Sequence, residues 1–173
     1  MVARRIRLSI PVAFLLAATC AFAAALPRVK VESLAGISLT LPDDLPARPC
    51  VFVVGFSKAS RTQTTPWSQR LERESLAGNA SIYSVAMLED APSFVRRFVV
   101  GGIRKSVPDA LHDRFLVATS DAAAWKEAVS YSDADADAAY LILLNRGREI
   151  VWRANGPPTD ATLRGLVDAL AAM

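Results

Sequence analysis

The chain has 173 residues, of which 52% are hydrophobic and 21% charged, a composition that indicates one globular domain preceded by an apolar leader. The formal charge of +3 lies wholly in Arg4, Arg5 and Arg7, because without them the 20 basic residues become 17, equal to the 17 acidic residues. The rest of the chain is therefore near neutral, and its basic isoelectric point does not indicate nucleic-acid binding.

Residues 1–25 have the pattern of a secretory signal peptide. The three arginines precede an apolar run at 8–18, and small residues around Ala23 and Ala25 offer a cleavage site. The run is shorter than a typical membrane span. We predict export, with a folded domain over 26–173; an uncleaved membrane anchor and a mitochondrial presequence are the alternatives.

Residues 50–56 form an unbroken apolar run, which predicts a strand buried on both faces of an α/β sheet. In thioredoxin-like chains a reactive Cys-x-x-Cys follows such a strand, where a helix N-terminus lowers the thiol pKa. Here residues 57–60 hold that place without sulfur, and Ala139 stands where a cis-proline would lie. Dithiol exchange is therefore excluded.

The first half of the chain reads as a hairpin followed by a βαβ unit. Strands at 29–32 and 36–41 are predicted to pair before the buried run. A helix over 65–77, with Pro66 in its first turn, then leads to a strand over 81–87, which is expected to lie parallel to the buried run.

The pattern of predicted elements is less regular in the middle of the chain. A helix over 92–100 is expected to be interrupted at Gly101 and Gly102, and a short strand follows at 115–118. Ser120 is predicted to cap a helix over 121–129.

The end of the chain reads as a hairpin and a helix. Strands at 140–144 and 149–154 are predicted to join through a turn with Gly147 at positive φ, and Ile150 and Trp152 should share a face. The last helix is capped by Thr159 or Asp160, and its apolar residues have helical spacing: Leu163, Leu166, Val167 and Leu170. This order predicts an α/β, thioredoxin-like three-layer fold, a mixed central sheet flanked by helices, with an N-terminal hairpin.

No catalytic or metal site can be assembled from the sequence. His112 could pair with Asp113, but no nucleophile completes a site, so a loop histidine bonded to backbone is favoured. Asp133, Asp135 and Asp137 resemble a calcium loop without its Gly and distal Glu. One histidine and one cysteine cannot build a zinc site, and no Gly-rich phosphate loop is present. We predict no metal and no cofactor.

Cleavage of the leader would remove Cys20 and leave Cys50 alone, so no internal disulfide could form. The start of a buried strand favours a packed thiol over a reactive one. The enzymatic alternative is a periplasmic thiol oxidoreductase or peroxidase that uses Cys50 as its single cysteine.

Residues 96–105 place apolar side chains between cations. This segment either packs its apolar face on the sheet with solvated arginines, or docks on anionic lipid headgroups or on a membrane-protein partner. We predict that the following residues contact the partner: Arg96, Arg97, Arg104, Lys105, His112, Asp113, Arg114, Trp152 and Arg153.

The same region carries a family resemblance. The strings Phe-Val-Arg-Arg-Phe at 94–98, Arg-Lys-Ser-Val-Pro at 104–108 and Leu-His-Asp-Arg-Phe at 111–115 precede a hairpin pattern at 140–156. In this order they resemble the mitochondrial ATP synthase assembly-factor family numbered ten in yeast. The resemblance covers the chain from about residue 94 to its end. It implies a thioredoxin-like fold without redox cysteines and a chaperone role in assembling the membrane sector of ATP synthase, near subunit a.

We therefore predict a non-enzymatic protein of the cell envelope, periplasmic or associated with the inner membrane, that binds a membrane-protein client and no nucleic acid. If the leader is a presequence, the location is the mitochondrial inner membrane instead. A periplasmic binding domain for an unidentified ligand is a further possibility.

Overall fold

The computed structural model describes residues 25–74 and 76–173. Residues 1–24, which hold nearly all of the predicted signal peptide, lie outside the described part of the chain. Within the described part, no helix combines the length and the apolar character needed to cross a membrane.

The described residues form one seven-stranded mixed sheet with the strand order β2-β1-β5-β4-β3-β6-β7. β3, β4 and β5 are parallel, and the other neighbours are antiparallel. The strands are β1 (Val29–Ser33), β2 (Ser38–Leu41), β3 (Cys50–Gly55), β4 (Ser81–Met87), β5 (Phe115–Ala118), β6 (Tyr140–Leu144) and β7 (Ile150–Asn155). The helices are α1 (Arg61–Arg73), α2 (Ser93–Ser106), α3 (Ala122–Ala128) and α4 (Asp160–Ala171). The predicted N-terminal hairpin, parallel βαβ unit and C-terminal hairpin are confirmed.

β3 is the interior strand that the apolar run predicts. All six of its residues are buried, because β4 and β6 flank it and helices cover both faces. On one face Phe52 meets Trp125 of α3, with 6.0 Å between ring centroids. On the other face, Val51 and Val53 pack in a cluster with Trp67 of α1 and with residues of α4. The sheet and its two helical layers are the predicted three-layer arrangement.

The predicted bounds of α1 are wrong. The helix begins at Arg61 directly after the turn that follows β3, so Pro66 lies inside it rather than in its first turn. The carbonyl of Ser60 accepts from the backbone N–H groups of Gln63 and Thr64, which nucleates the helix four residues early. α1 ends at Arg73, and a separate 3₁₀ turn follows at Leu76–Gly78.

The predicted interruption of α2 is also wrong. The helix continues through Gly101 and Gly102, and a Cβ at either position would meet no atom within 4 Å. A glycine weakens a helix by about 1 kcal/mol relative to alanine, which the flanking residues can tolerate. α2 stops at Ser106 because Val107, which precedes Pro108, is extended at φ −98° and ψ 131°.

α3 is not capped by the residue that the sequence suggests. Its N-cap is Asp121, at φ 63°, and the side-chain carboxylate of Glu89 accepts from the N–H of Ala122. Ser120 instead donates its hydroxyl to Asp121, at 2.6 Å. A residue distant in sequence therefore caps this helix, which no local pattern reveals.

Two details of the β6–β7 hairpin differ from the prediction. The residue at positive φ in the turn is Arg148, at 68°, and not Gly147. An irregularity between Leu143 and Leu144 places Ile150 and Trp152 on opposite faces of the sheet rather than on one.

α4 begins as predicted, because the Thr159 side chain accepts from the N–H of Thr162, at 3.1 Å. Leu163 and Leu166 are buried under the helix, whereas Val167, predicted on the same face, is exposed.

Replacing Gly101 by alanine is expected to raise the free energy of unfolding by about 0.5–1 kcal/mol, because α2 is continuous there and the new methyl has space. Urea unfolding followed by circular dichroism measures the change. Gly36→Ala is the matched control: Gly36 has φ +84°, so the same methyl should lower stability. A destabilised Gly101→Ala variant would show that the helix is broken at this point.

Candidate functional site

In thioredoxin-like chains a reactive Cys-x-x-Cys follows the strand that corresponds to β3. Here the turn after β3 is closed by hydroxyl and carboxylate oxygen atoms. Ser57 donates its hydroxyl to the carboxylate of Asp137, at 2.6 Å. The same hydroxyl oxygen accepts from the N–H of Ser60, at 3.0 Å, while the Ser60 hydroxyl donates to the carbonyl of Ser57, at 2.7 Å. The turn before α1 is thus closed by hydroxyl groups, which cannot perform thiol exchange, while the first N–H groups of the helix bond to backbone carbonyls.

The segment facing this turn is also satisfied internally. The N–H of Ala139 donates to the Gln63 side chain, at 3.2 Å, and the Ala139 carbonyl accepts from the N–H of Gly156, at 2.9 Å. The carbonyl of Gly156 accepts from the Trp67 indole, at 2.8 Å. These bonds join the start of β6, the end of β7 and α1.

Cys50 lies at the other end of β3, about 16 Å from the turn by strand geometry. It is 2% exposed, and its thiol donates to the carbonyl of Arg48, at 3.4 Å. Burial raises the pKa of Cys50 from 9.0 to about 11, against the opposing effects of Arg48 and Arg148. The thiol is therefore packed and protonated at neutral pH, as the sequence favours.

His112 is held by backbone carbonyl groups and not by a catalytic partner. Its Nε2 lies 3.0 Å from the carbonyl oxygen of Val107 and 3.2 Å from that of Arg104. The nearest carboxylate oxygen to this nitrogen is on Asp109, at 3.6 Å. Asp113 pairs with Arg114 instead, at 3.8 Å. The interpretation of His112 as a backbone-bonded loop histidine is confirmed.

Two of the three aspartates of the acidic loop bond to different partners. Asp135 accepts from the Asn155 side chain, at 3.0 Å, and Asp137 accepts from Ser57. Across residues 25–74 and 76–173, no three His, Cys, Asp or Glu side chains form a group that could hold a metal ion.

α2 differs from the other helices in that none of its residues is buried. Val95, Val99 and Ile103 lie on its inner side and are half-buried. The opposite side exposes two phenylalanines one turn apart, with 72% of Phe94 and 79% of Phe98 accessible to solvent. α2 thus has apolar side chains on two sides. Those on the inner side are partly buried, whereas those on the opposite side are exposed to solvent.

The four predicted cations of α2 divide between its sides. Arg96 donates to the carbonyls of Glu89 and Ala91, at 2.8 and 2.7 Å, and Arg104 donates to the carbonyl of Leu34. These two arginines fasten the helix to neighbouring loops.

Arg97 and Lys105 are exposed on α2 and flank the aromatic pair. We call Phe94, Phe98, Arg97 and Lys105 the outer face of α2. Neither phenylalanine is among the contact residues predicted from the sequence, which left open whether the apolar residues of this segment pack on the sheet or dock on a partner. Apolar residues around most of the helix circumference were the available signal.

The other predicted contact residues do not all join α2. His112, Asp113 and Arg114 follow its C-terminal end, whereas Trp152 and Arg153 lie on β7, at the opposite edge of the sheet from β2. Trp152 is half-buried against α4, and Arg153 donates to the carbonyl of Ala128 in α3, at 2.7 Å. The nine residues therefore form two separate regions, and their role in binding a partner stays a prediction.

No protein-family model matches the chain, and no curated protein matches it. Solved structures resemble it closely in fold. Arabidopsis thaliana ScoI with copper bound has a TM-score of 0.58 at 13% identity, covering 87% of this chain and 100% of that chain. BsSco, of the Sco family of cytochrome c oxidase assembly proteins, has a TM-score of 0.56 at 11% identity, with coverages of 88% and 96%. The thioredoxin domain of a thiol-disulfide oxidoreductase from Bacteroides vulgatus has a TM-score of 0.56 at 16% identity, with coverages of 84% and 94%.

These likenesses and the observed topology define the class: the protein is a thioredoxin-like α/β protein. The predicted fold class is confirmed. Copper(I) prefers sulfur and imidazole ligands. The side chains joined at the turn after β3, those of Ser57, Ser60 and Asp137, supply only hydroxyl and carboxylate oxygens, which are not the ligands that copper(I) prefers.

Native Cys50 is expected to react with iodoacetamide at neutral pH at least about a hundredfold more slowly than an exposed cysteine, because it is buried and its pKa is about 11. Mass spectrometry of the peptide containing Cys50 measures the rate without interference from Cys20. The same protein in urea is the control and should react rapidly. Fast labelling of Cys50 in the native protein would instead support the hypothesis of an enzyme that uses this single cysteine.

Stability should fall between about pH 9 and pH 11 through Cys50. The folded pKa is raised, so the contribution of the neutral thiol is complete below the unfolded pKa of 9.0 and is lost as pH rises through about 11. Urea unfolding of the wild type and of Cys50→Ala across this range measures the difference. The variant should lose less stability with rising pH, with a residual slope from Tyr83, whose pKa burial also raises. Identical slopes would show that Cys50 is solvated.

Proposed function

We propose that this protein is a redox-inactive, thioredoxin-like protein of the cell envelope that binds a membrane-protein client through the outer face of α2. The observation that carries the proposal is the exposure of Phe94 and Phe98, at 72% and 79%, between the cations Arg97 and Lys105. Exposed aromatic side chains next to arginine are typical of residues that dominate binding energy at protein interfaces.

The chemistry of the fold supports binding rather than catalysis. The turn after β3 holds the Ser57–Asp137 hydrogen bond, and Cys50 is buried at the far end of the strand. Neither location offers a thiolate, which is the nucleophile in thiol exchange and peroxide reduction. The fold shared with a thiol-disulfide oxidoreductase is consistent with the single-cysteine alternative, whereas the burial of Cys50 supports the binding protein.

Two considerations support a role in assembling a membrane complex. BsSco, which shares the fold, belongs to a family of cytochrome c oxidase assembly proteins. The strings at 94–98, 104–108 and 111–115 resemble those of the ATP synthase assembly-factor family, and they coincide with α2 and the loop that follows it. We therefore propose the membrane sector of ATP synthase as the client.

The leader supports a location at the membrane. Its cationic start, its short apolar run and its small residues are typical of exported chains. A protein delivered in this way, or retained by its leader, would meet membrane-protein clients at the bilayer surface.

Photocrosslinking in cells tests the proposal. A benzophenone amino acid in place of Phe98 is expected to capture a membrane-sector subunit of ATP synthase. The same group in place of Val151 on β7, which is 45% exposed, is the matched control and should not capture it. Adding Phe94→Ser to the Phe98 probe should lower the yield about fivefold or more, because a neighbouring aromatic contact is lost.

The outcomes separate the parts of the proposal. Capture of a different integral membrane protein from position 98 alone would retain the binding function and overturn the ATP synthase client. Equal capture from positions 98 and 151, or no membrane protein from either, would overturn the outer face of α2 as the client surface.

A further inference from the structure

A groove of about 790 Å³ lies between α2 and the β1–β2 hairpin. Arg96, Val100 and Arg104 of α2 line one wall, and Lys30 and Thr40 of the hairpin line the other. Arg97 also lines this groove, whereas Phe94, Phe98 and Lys105 do not, so the groove adjoins the outer face of α2 and shares Arg97 with it.

The groove carries four cations, Lys30, Arg96, Arg97 and Arg104, against the single carboxylate of Glu32. The ion pairs found in the described part of the chain involve none of these four cations. Since walls of low dielectric constant concentrate the field of charges in a cleft, the net positive charge favours an anionic occupant.

Two of the guanidinium groups are held in fixed positions. Arg96 is bonded to the carbonyls of Glu89 and Ala91, and Arg104 is bonded to the carbonyl of Leu34. A guanidinium has five N–H donors, so each retains donors beyond those used by the backbone. Fixed donors lose little conformational entropy when they bind a carboxylate.

The dimensions and lining favour an extended chain. The α2 residues that line the groove run from Arg96 to Arg104, about 12 Å of helix, a length that about four residues of extended polypeptide span. Leu39, Val100 and Val117 supply apolar lining between the cations. An extended segment with alternating acidic and apolar residues would place its carboxylates near the cations and its apolar side chains on this lining.

Other anionic macromolecules fit less well. None of the described residues that line the groove is aromatic, whereas binding of single-stranded nucleic acid uses aromatic side chains on which bases stack. The carboxylate of Glu32 would repel a closely spaced phosphate backbone. A bilayer surface is broad and cannot enter a groove flanked by a helix and a hairpin.

We infer that the groove between α2 and the β1–β2 hairpin binds an acidic, extended polypeptide segment. The inference rests on the proposed function only for the source of that segment, a client protein. Binding itself can be measured with a synthetic peptide and without any client.

The probe is a fluorescent eight-residue peptide of alternating glutamate and valine, titrated with the full chain and followed by anisotropy. Arg97→Glu is expected to weaken binding roughly tenfold, because an attraction becomes a repulsion. Lys105→Glu is the matched control, since it makes the same charge change on the outer face of the same helix. It should change the affinity by less than about twofold. A peptide with lysine in place of glutamate should not bind.

The Glu32→Gln variant is expected to bind the glutamate peptide more tightly, a result that misfolding of the variant would not produce. Removing the opposing carboxylate should strengthen binding of the glutamate peptide roughly two- to fivefold. Failure of the glutamate peptide to bind, equal losses in Arg97→Glu and Lys105→Glu, or unchanged affinity in Glu32→Gln would each overturn the inference. Displacement of the peptide by phosphatidylglycerol vesicles, with the same dependence on Arg97, would assign the groove to lipid headgroups instead. Crosslinking from position 98 is independent of these results, so the two proposals fail separately.

Discussion

The exclusion of water from both faces of β3 is the constraint on which the rest of the structure depends. Val51 and Val53 belong to one core, and Phe52 and Val54 to the other, so a shift by one residue would exchange the contents of both cores. The register with β4 and β6 is therefore strongly specified. It also determines the positions of the two ends of the strand: Cys50 is buried at the start of β3, and the turn that leads to α1 lies at its other end.

The chain uses that turn for structure and places its unusual surface elsewhere. Ser57 and its hydrogen-bonded neighbours close the turn, and Ala139 joins it to β6 and α1. α1, α3 and α4 each bury residues against the sheet, whereas α2 buries none. In this thioredoxin-like protein the exposed aromatic pair and the cationic groove therefore lie on and beside α2, away from the turn after β3.

The strands were predictable because each is an apolar run or an alternation, and burial in a sheet demands little else. The failures have different causes. Glycine is only a weak helix breaker, so Gly101 and Gly102 did not end α2. The irregularity opposite Ile150 and Trp152 cannot be predicted from the alternation of apolar and polar residues. One extra residue in a strand moves the side chains that follow it to the opposite face of the sheet. The cap of α3 by Glu89 is a long-range contact. Phe94 and Phe98 were not singled out because periodicity identifies an apolar face without showing what covers it.

The attachment of α2 through Arg96 and Arg104 has a consequence for how the sequence can vary. These side chains donate hydrogen bonds to backbone carbonyl oxygens, which every residue type supplies. The attachment therefore does not depend on which side chains the neighbouring loops carry. The outer face meets solvent in the folded and unfolded chain alike, so exchanges there leave the folding equilibrium nearly unchanged. That face is free to diverge in sequence, while the buried core of the sheet and its helices is not.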